Sequence, residues 1–152
     1  MEKEKVDEYR IEDGMVIEYL GSGGDIVIPD GVTDLMFSSF AVDSITSINI
    51  PGSIKDITSH VFSDLINLHT VYMNEGIEEI GFATFYNCEK LDKVYIPKSL
   101  NKINSISFGN CFSLKEIYYA GSEEEWNMIE KDEDWNQGIN NINIIFNSII
   151  NI

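Results

Sequence analysis

Hydrophobic residues recur along the middle of the chain with a period of 23 residues. Residues 48–70, 71–93 and 94–116 carry apolar side chains at matching positions, and a 22-residue segment, 26–47, precedes them. A repeat of this length cannot bury its own apolar positions, whereas stacked copies bury them against each other. The pattern therefore predicts a solenoid with four coils over residues 26–116.

Each repeat begins with alternating apolar and polar residues, as in Val94-Tyr95-Ile96. A period of two is typical of a short strand with one buried face. Proline follows this strand in three of the four repeats, at Pro29, Pro51 and Pro97. Because proline cannot donate to a β-ladder, we expect the strand to end there.

One aromatic ring stands at the same position of every repeat. The four rings are those of Phe40, Phe62, Phe85 and Phe108. Paired strands of successive coils lie roughly 4.8 Å apart, so equivalent residues stack on each other. These rings are therefore predicted to form a continuous spine in the interior.

Both ends of the chain depart from the repeat. Residues 9–25 contain an Asp13-Gly14 turn between alternating runs, which predicts a β-hairpin cap. Residues 117–152 predict a cap made of a helix, starting at a capping box of Ser122 and Glu125, and a final strand over 142–150. The charged segment 1–8 is expected to be flexible, and the whole chain to form one domain.

The repeats resemble those of the BspA-like class of bacterial leucine-rich repeats. Residues 94–116 read VYIPKSLNKINSISFGNCFSLKE, close to that class's approximate pattern IxIPxxVxxIgxxAFxxCxxLxx. The alanine of the pattern is replaced here by Ser39, Val61, Thr84 and Ser107. The resemblance implies a mainly β leucine-rich-repeat solenoid with short strands and irregular or 3-10 turns in each coil. It also implies recognition of proteins or surfaces, often at the bacterial exterior, rather than an enzyme.

The net charge of the chain limits the kinds of partner that it can bind. The formal net charge is −16, which repels nucleic acid and attracts basic proteins. No apolar run of membrane-spanning length occurs, so membrane insertion is not expected. The first residues, MEKEKVDEYR, lack the apolar stretch of a secretory leader. The chain as written is thus expected in the cytoplasm, whereas the family is often secreted or on the cell surface, and the compartment stays open.

The chain has two histidines and two cysteines. His60 and His69 have no second ligand at metal-binding spacing, and we expect no metal, cofactor or catalytic residue. Cys88 and Cys111 share a column, and stacking brings their Cα atoms to about 5–6 Å, which a disulfide can span. Reduced, buried thiols are favoured over that disulfide, because Leu65 occupies the same column.

The outward positions of the predicted strands provide the candidate binding surface. One outward column is Asn49, Tyr72, Tyr95 and Tyr118, and the next includes Thr70, Lys93 and Glu116. Tyrosine is enriched at recognition surfaces, although stacked aromatic residues also stabilise sheets. The sequence thus predicts a module that binds a protein, in preference to a glycan, through this face. The alternative is a spacer or self-associating scaffold, and the chain is expected to be a monomer or to self-associate weakly.

Overall fold

Thirteen short strands, one α-helix and one 3-10 turn form the regular structure of residues 6–149, the part of the chain that the computed structural model describes. In chain order they are the 3-10 turn Val6–Glu8, β1 (Tyr9–Glu12), β2 (Met15–Tyr19), β3 (Gly24–Val27), β4 (Asp34–Leu35), β5 (Ile45–Ile50), β6 (Asp56–Ile57), β7 (Thr70–Met73), β8 (Glu79–Ile80), β9 (Lys93–Ile96), β10 (Lys102–Ile103), β11 (Glu116–Tyr119), α1 (Glu123–Met128), β12 (Glu130–Lys131) and β13 (Asn143–Ile145).

The strands form three sheets in which each coil pairs with the next. The largest is parallel and has the order β13-β11-β9-β7-β5-β3. A second parallel sheet has the order β12-β10-β8-β6, and a third has the order β1-β2-β4. Partners in the largest sheet are one repeat apart, as Tyr72 and Tyr95 are. The predicted mainly β solenoid is therefore confirmed.

The solenoid has about six turns and extends beyond the four repeats predicted over residues 26–116. The ladder continues past residue 116, because β12 pairs in parallel with β10 and β13 pairs in parallel with β11. Helix α1 lies between β11 and β12, where it interrupts the repeat in the sequence but not the stacking of the strands. Its capping box is formed: Ser122 accepts from the Glu125 N–H, and Glu125 accepts from the Ser122 N–H.

The N-terminal hairpin is joined to the first coil. Its two strands pair antiparallel, and β2 also pairs in parallel with β4. The Tyr9 hydroxyl donates to the carbonyl of Val27 at 2.9 Å, and the Tyr19 ring stacks 5.7 Å from Phe40. Of the segment predicted to be flexible, residues 1–5 lie outside the described residues and Val6–Glu8 form the 3-10 turn.

The predicted spine residues occupy the centre of the coil. Successive ring centroids lie 5.1 Å, 5.5 Å and 5.3 Å apart from Phe40 through Phe62 and Phe85 to Phe108. All four rings are buried. The Trp135 indole continues the row with an edge contact 6.1 Å from Phe108.

A ladder of polar side chains marks the turn that follows the spine. Asp64, Asn87 and Asn110 have φ values of 61°, 61° and 58°, a conformation that Asn and Asp tolerate better than most residues. The Asn87 amide donates to the Asp64 carboxylate, and the Asn110 amide donates to Asn87, both at 3.0 Å. The same side chains thus allow the turn and connect neighbouring coils.

Candidate functional site

Three tyrosines form a stacked row on the six-stranded sheet. The rings of Tyr72 and Tyr95 are 4.8 Å apart with an interplanar angle of 21°, and those of Tyr95 and Tyr118 are 4.7 Å apart at 12°. Parallel, in-register pairing places each tyrosine directly opposite the next. This tyrosine row is half-buried, so the ring edges and hydroxyl groups face solvent.

The strand register extends the tyrosine row at both ends. Asn49 is the register partner of Tyr72, and Val27 is the partner of Asn49. Ile145 is the partner of Tyr118. Sequence analysis missed Val27 and Ile145 as members of the row, although the alternation at residues 26–28 already placed Val27 outward. The Asn49 side-chain oxygen accepts from Asn74 at 2.6 Å, which fixes its orientation.

A second row runs beside the tyrosines. In register order it contains Asp25, Ser47, Thr70, Lys93, Glu116 and Asn143. Ser47 and Thr70 are only 9% exposed, so their hydroxyls contribute little free surface. Lys93 makes no ion pair with any other described residue. Hydrogen bonds from Ser47 and Thr46 hold the pKa of the Asp25 carboxyl below its usual value.

One hydrogen bond joins the two rows. The Tyr118 hydroxyl donates to the Glu116 carboxylate at 2.8 Å, which raises the pKa of Tyr118. Among the described residues, the hydroxyls of Tyr72 and Tyr95 have no hydrogen-bond partner. These two hydroxyls are therefore available to another molecule.

The two cysteines are free and buried. The Cys88 thiol donates to the carbonyl of Phe62, and the Cys111 thiol donates to the carbonyl of Phe85, both at 3.1 Å. Burial raises the pKa of Cys111 to about 12 and that of Cys88 well above its usual value. Neutral thiols without solvent access are poor nucleophiles and poor metal ligands. Their contacts connect adjacent coils.

The two histidines have different neighbours. His60 lies between the rings of Phe37 and Phe82, and His69 Nδ1 is 2.9 Å from the Thr70 hydroxyl. Within residues 6–149 no group of three or more His, Cys, Asp or Glu side chains is arranged to hold a metal ion. No helix in that range is long and apolar enough to cross a membrane.

Comparison with known proteins decides the family. The sequence model of the BspA-type leucine-rich repeat region matches residues 19–132 with six copies. The chain belongs to this family. The matched region and the six-stranded sheet both extend beyond the four repeats predicted over residues 26–116. No curated protein matches the chain.

Solved structures of bacterial leucine-rich repeat proteins share this fold. A leucine-rich cell surface protein from Faecalibacterium prausnitzii is 27% identical, with a TM-score of 0.60 over 82% of this chain and 41% of its own. A leucine-rich repeat protein from Eubacterium ventriosum is 13% identical, with a TM-score of 0.52 over 89% of this chain and 51% of its own. This BspA-type chain thus spans about half or less of these relatives.

Family membership indicates the general role. The BspA-type leucine-rich repeat family suggests a protein-interaction or scaffold role. The family does not identify a partner or a binding face. The binding face must therefore be inferred from the geometry of this chain.

Proposed function

We propose that this chain is a non-enzymatic module that binds a protein through the tyrosine row. The carrying observation is the register of Tyr72, Tyr95 and Tyr118, which places three ring edges and two unpaired hydroxyls side by side. Tyrosine provides large contact area with little loss of side-chain entropy, and its hydroxyl adds directional hydrogen bonds.

The stacking of the rings favours a protein over a glycan as ligand. A sugar ring packs against the open face of an aromatic ring, but both faces of Tyr95 are covered by its neighbours at 4.8 Å and 4.7 Å. The exposed edges and hydroxyls instead suit backbone and side-chain groups of a protein. The net charge of −16 favours a partner with a basic surface.

The neighbouring row would provide specificity. Lys93 and Glu116 lie beside Tyr95 and Tyr118 and bring charges of opposite sign to the same face. A partner with matched charges would gain orientation and association rate more than affinity. Lys93→Glu should therefore change the choice of partner more than the stability of the chain.

Binding is tested with variants that separate hydroxyl groups from rings. Because Tyr95 stacks on two rings, Tyr95→Ala removes packing as well as contact surface. The triple change Tyr72→Phe, Tyr95→Phe and Tyr118→Phe keeps the stack and removes only the hydroxyls. A pull-down with immobilised wild type and the triple Tyr→Ala variant would find the partner, and calorimetry on the purified partner would compare affinities.

We expect both variants to bind at least about tenfold more weakly than the wild type. Phe112→Ala, which alters an exposed ring outside the row, is the matched control. Unchanged affinity in the Tyr→Phe and Tyr→Ala variants would contradict the proposal.

A self-associating scaffold is the second candidate. Strand β13 ends the six-stranded sheet of the described residues and carries Ile144 and Ile145. An unpaired strand edge can add another strand. Light scattering after size exclusion would show a mass that rises with concentration if this role is correct, and a constant monomer mass if it is not.

A further inference from the structure

Three rings form a second aromatic surface in the segments that follow β4, β6 and β8. The His60 ring lies between Phe37 and Phe82, with edge contacts at 6.0 Å and 5.2 Å. Phe37 is 60% exposed and Phe82 is 43% exposed. We call these three residues the aromatic ridge. Large apolar rings grouped at the surface, rather than scattered singly, are typical of interaction sites.

Carboxylates border the aromatic ridge on one side. The first residues of β4, β6 and β8 are Asp34, Asp56 and Glu79, which we call the acidic row. Asp56 lies opposite Glu79 in the ladder. Asn104 donates to Glu79, and Thr33 donates to Asp34.

The central carboxylate of the acidic row lacks a partner. Asp56 has no hydrogen bond or ion pair with any described residue. Partial burial and the neighbouring Glu79 raise the pKa of the Asp56 carboxyl. A cation placed here would relieve the repulsion between like charges.

Two shallow grooves lie along the ridge, and both are acidic. The first, about 440 Å³, is lined by Phe82 together with the three members of the acidic row. The second, about 380 Å³, is lined by Phe37 and His60 together with Asp43 and Asp64. No lysine or arginine lines either groove. Lys55, which precedes Asp56 in the chain, partly offsets the rise in the pKa of Asp56 but does not line either groove.

We propose that the aromatic ridge and its acidic borders bind an extended basic segment of a protein partner. Apolar side chains of the segment cover Phe37 and Phe82, and its lysines or arginines reach the carboxylates in the flanking grooves. Cationic groups are also attracted to the exposed aromatic rings themselves. The surface thus matches a segment in which basic and apolar residues alternate.

A second copy of this chain is a poor occupant of the same surface. Each copy carries a net charge of −16, so the contact would bring carboxylates against carboxylates. A small cation alone would leave the rings of Phe37 and Phe82 uncovered. An alternating basic and apolar peptide satisfies both the rings and the carboxylates.

The test uses two labelled peptides on the whole chain. One is acetyl-Lys-Phe-Arg-Leu-Lys-amide, and the other, acetyl-Lys-Gly-Arg-Gly-Lys-amide, has the same charge without apolar side chains. Fluorescence anisotropy gives affinities, and ¹H–¹⁵N spectra show which backbone amides shift. We expect the apolar-basic peptide to bind roughly tenfold more tightly and to shift the amides of the ridge.

Matched variants separate this surface from general attraction to an acidic protein. Asp56→Asn with Glu79→Gln removes two charges at the ridge, and Glu123→Gln with Glu124→Gln removes two exposed charges on α1. We expect about tenfold weaker binding for the first pair and less than about twofold for the second. Phe37→Ser with Phe82→Ser should abolish the preference for the apolar peptide.

Three results would overturn the proposal. They are equal losses in the two charge-removal variants, equal affinity for the two peptides, and spectral shifts centred on the tyrosine row. The first two results leave the role of the tyrosine row open, and the Tyr→Phe variants of that row should leave binding to the ridge unchanged.

Discussion

The same serine-to-alanine substitution should change stability differently at two equivalent positions of the coil. Ser39 and Ser107 precede the spine ring of their coils, and both side chains are buried. The Ser107 hydroxyl lies 2.7 Å from the Asn104 carbonyl and 2.9 Å from that of Gly81. The Ser39 hydroxyl is buried without a hydrogen-bond partner among the described residues. The substitutions Ser39→Ala and Ser107→Ala are thus chemically identical and differ only in what the hydroxyl contacts.

The magnitudes follow from the hydrogen bonds. Loss of a satisfied hydrogen bond costs about 0.5–1.5 kcal/mol, so Ser107→Ala should lower the free energy of unfolding by about 1 kcal/mol. An unpaired buried hydroxyl costs roughly 1–3 kcal/mol of desolvation. Ser39→Ala removes that cost and loses only a small volume, so we expect no loss of stability, or a gain of up to about 1 kcal/mol. Alanine is also the residue of the family's pattern at this position.

Urea denaturation followed by circular dichroism measures both effects. Each variant should keep the slope of the wild type, so that the shift in midpoint reports stability alone. If Ser39→Ala lowers stability as much as Ser107→Ala, the reasoning is wrong. Thr84→Val is a further check, because the Thr84 hydroxyl donates to a carbonyl of the coil at 2.8 Å and should behave like Ser107.

Three further predictions follow from burial and hydrogen bonding. Phe85→Ala should cost about 3–5 kcal/mol of unfolding free energy, whereas Phe112→Ala should change it by less than about 0.5 kcal/mol, because Phe85 is buried and Phe112 is 58% exposed. Both thiols should react with Ellman's reagent only after denaturation, because they are buried. Absorbance titration should show Tyr118 ionising above the usual tyrosine pKa, and Glu116→Gln should lower that pKa.

The raised pKa of Tyr118 also predicts how the stability of the chain changes at alkaline pH. A raised pKa in the folded state means that the folded chain holds this proton more tightly than the unfolded chain does. The corresponding stabilisation is therefore complete below the ordinary tyrosine pKa and is lost as the pH rises through the raised value. Each of the three predictions has a result that would contradict it. These results are rapid labelling of the thiols in the native chain, equal losses of unfolding free energy in Phe85→Ala and Phe112→Ala, and an unchanged pKa of Tyr118 in Glu116→Gln.

The tyrosine row and the aromatic ridge give this chain two faces of different chemistry. The first presents ring edges and hydroxyls beside charges of both signs, and the second presents ring surface between carboxylates. Leucine-rich repeat solenoids offer extended surfaces because each coil contacts only its neighbours. Under the two proposals, two partners or two segments of one partner would occupy different faces, and such double contact would raise the overall affinity.

Local patterns in the sequence were sufficient for much of the architecture. The 23-residue period placed Tyr72, Tyr95 and Tyr118 in one column, because residues one period apart occupy the same position of successive coils. The Ser122 and Glu125 capping box was also predictable, since its hydrogen bonds span only one helical turn. Patterns that repeat, or that act over a few residues, can be recognised without the tertiary structure.

Only the tertiary structure showed that the strand ladder continues past residue 116 and that a second aromatic surface exists. Helix α1 removes the period from the sequence after residue 122, yet β13 still pairs with β11, because backbone hydrogen bonds do not depend on the side-chain pattern. The aromatic ridge was not predicted. Phe37 and Phe82 are two coils apart, and the His60 ring between them comes from a neighbouring column of the intervening coil. Contacts between residues of different columns depend on the backbone conformation of each turn. Comparing the repeats column by column does not reveal that conformation.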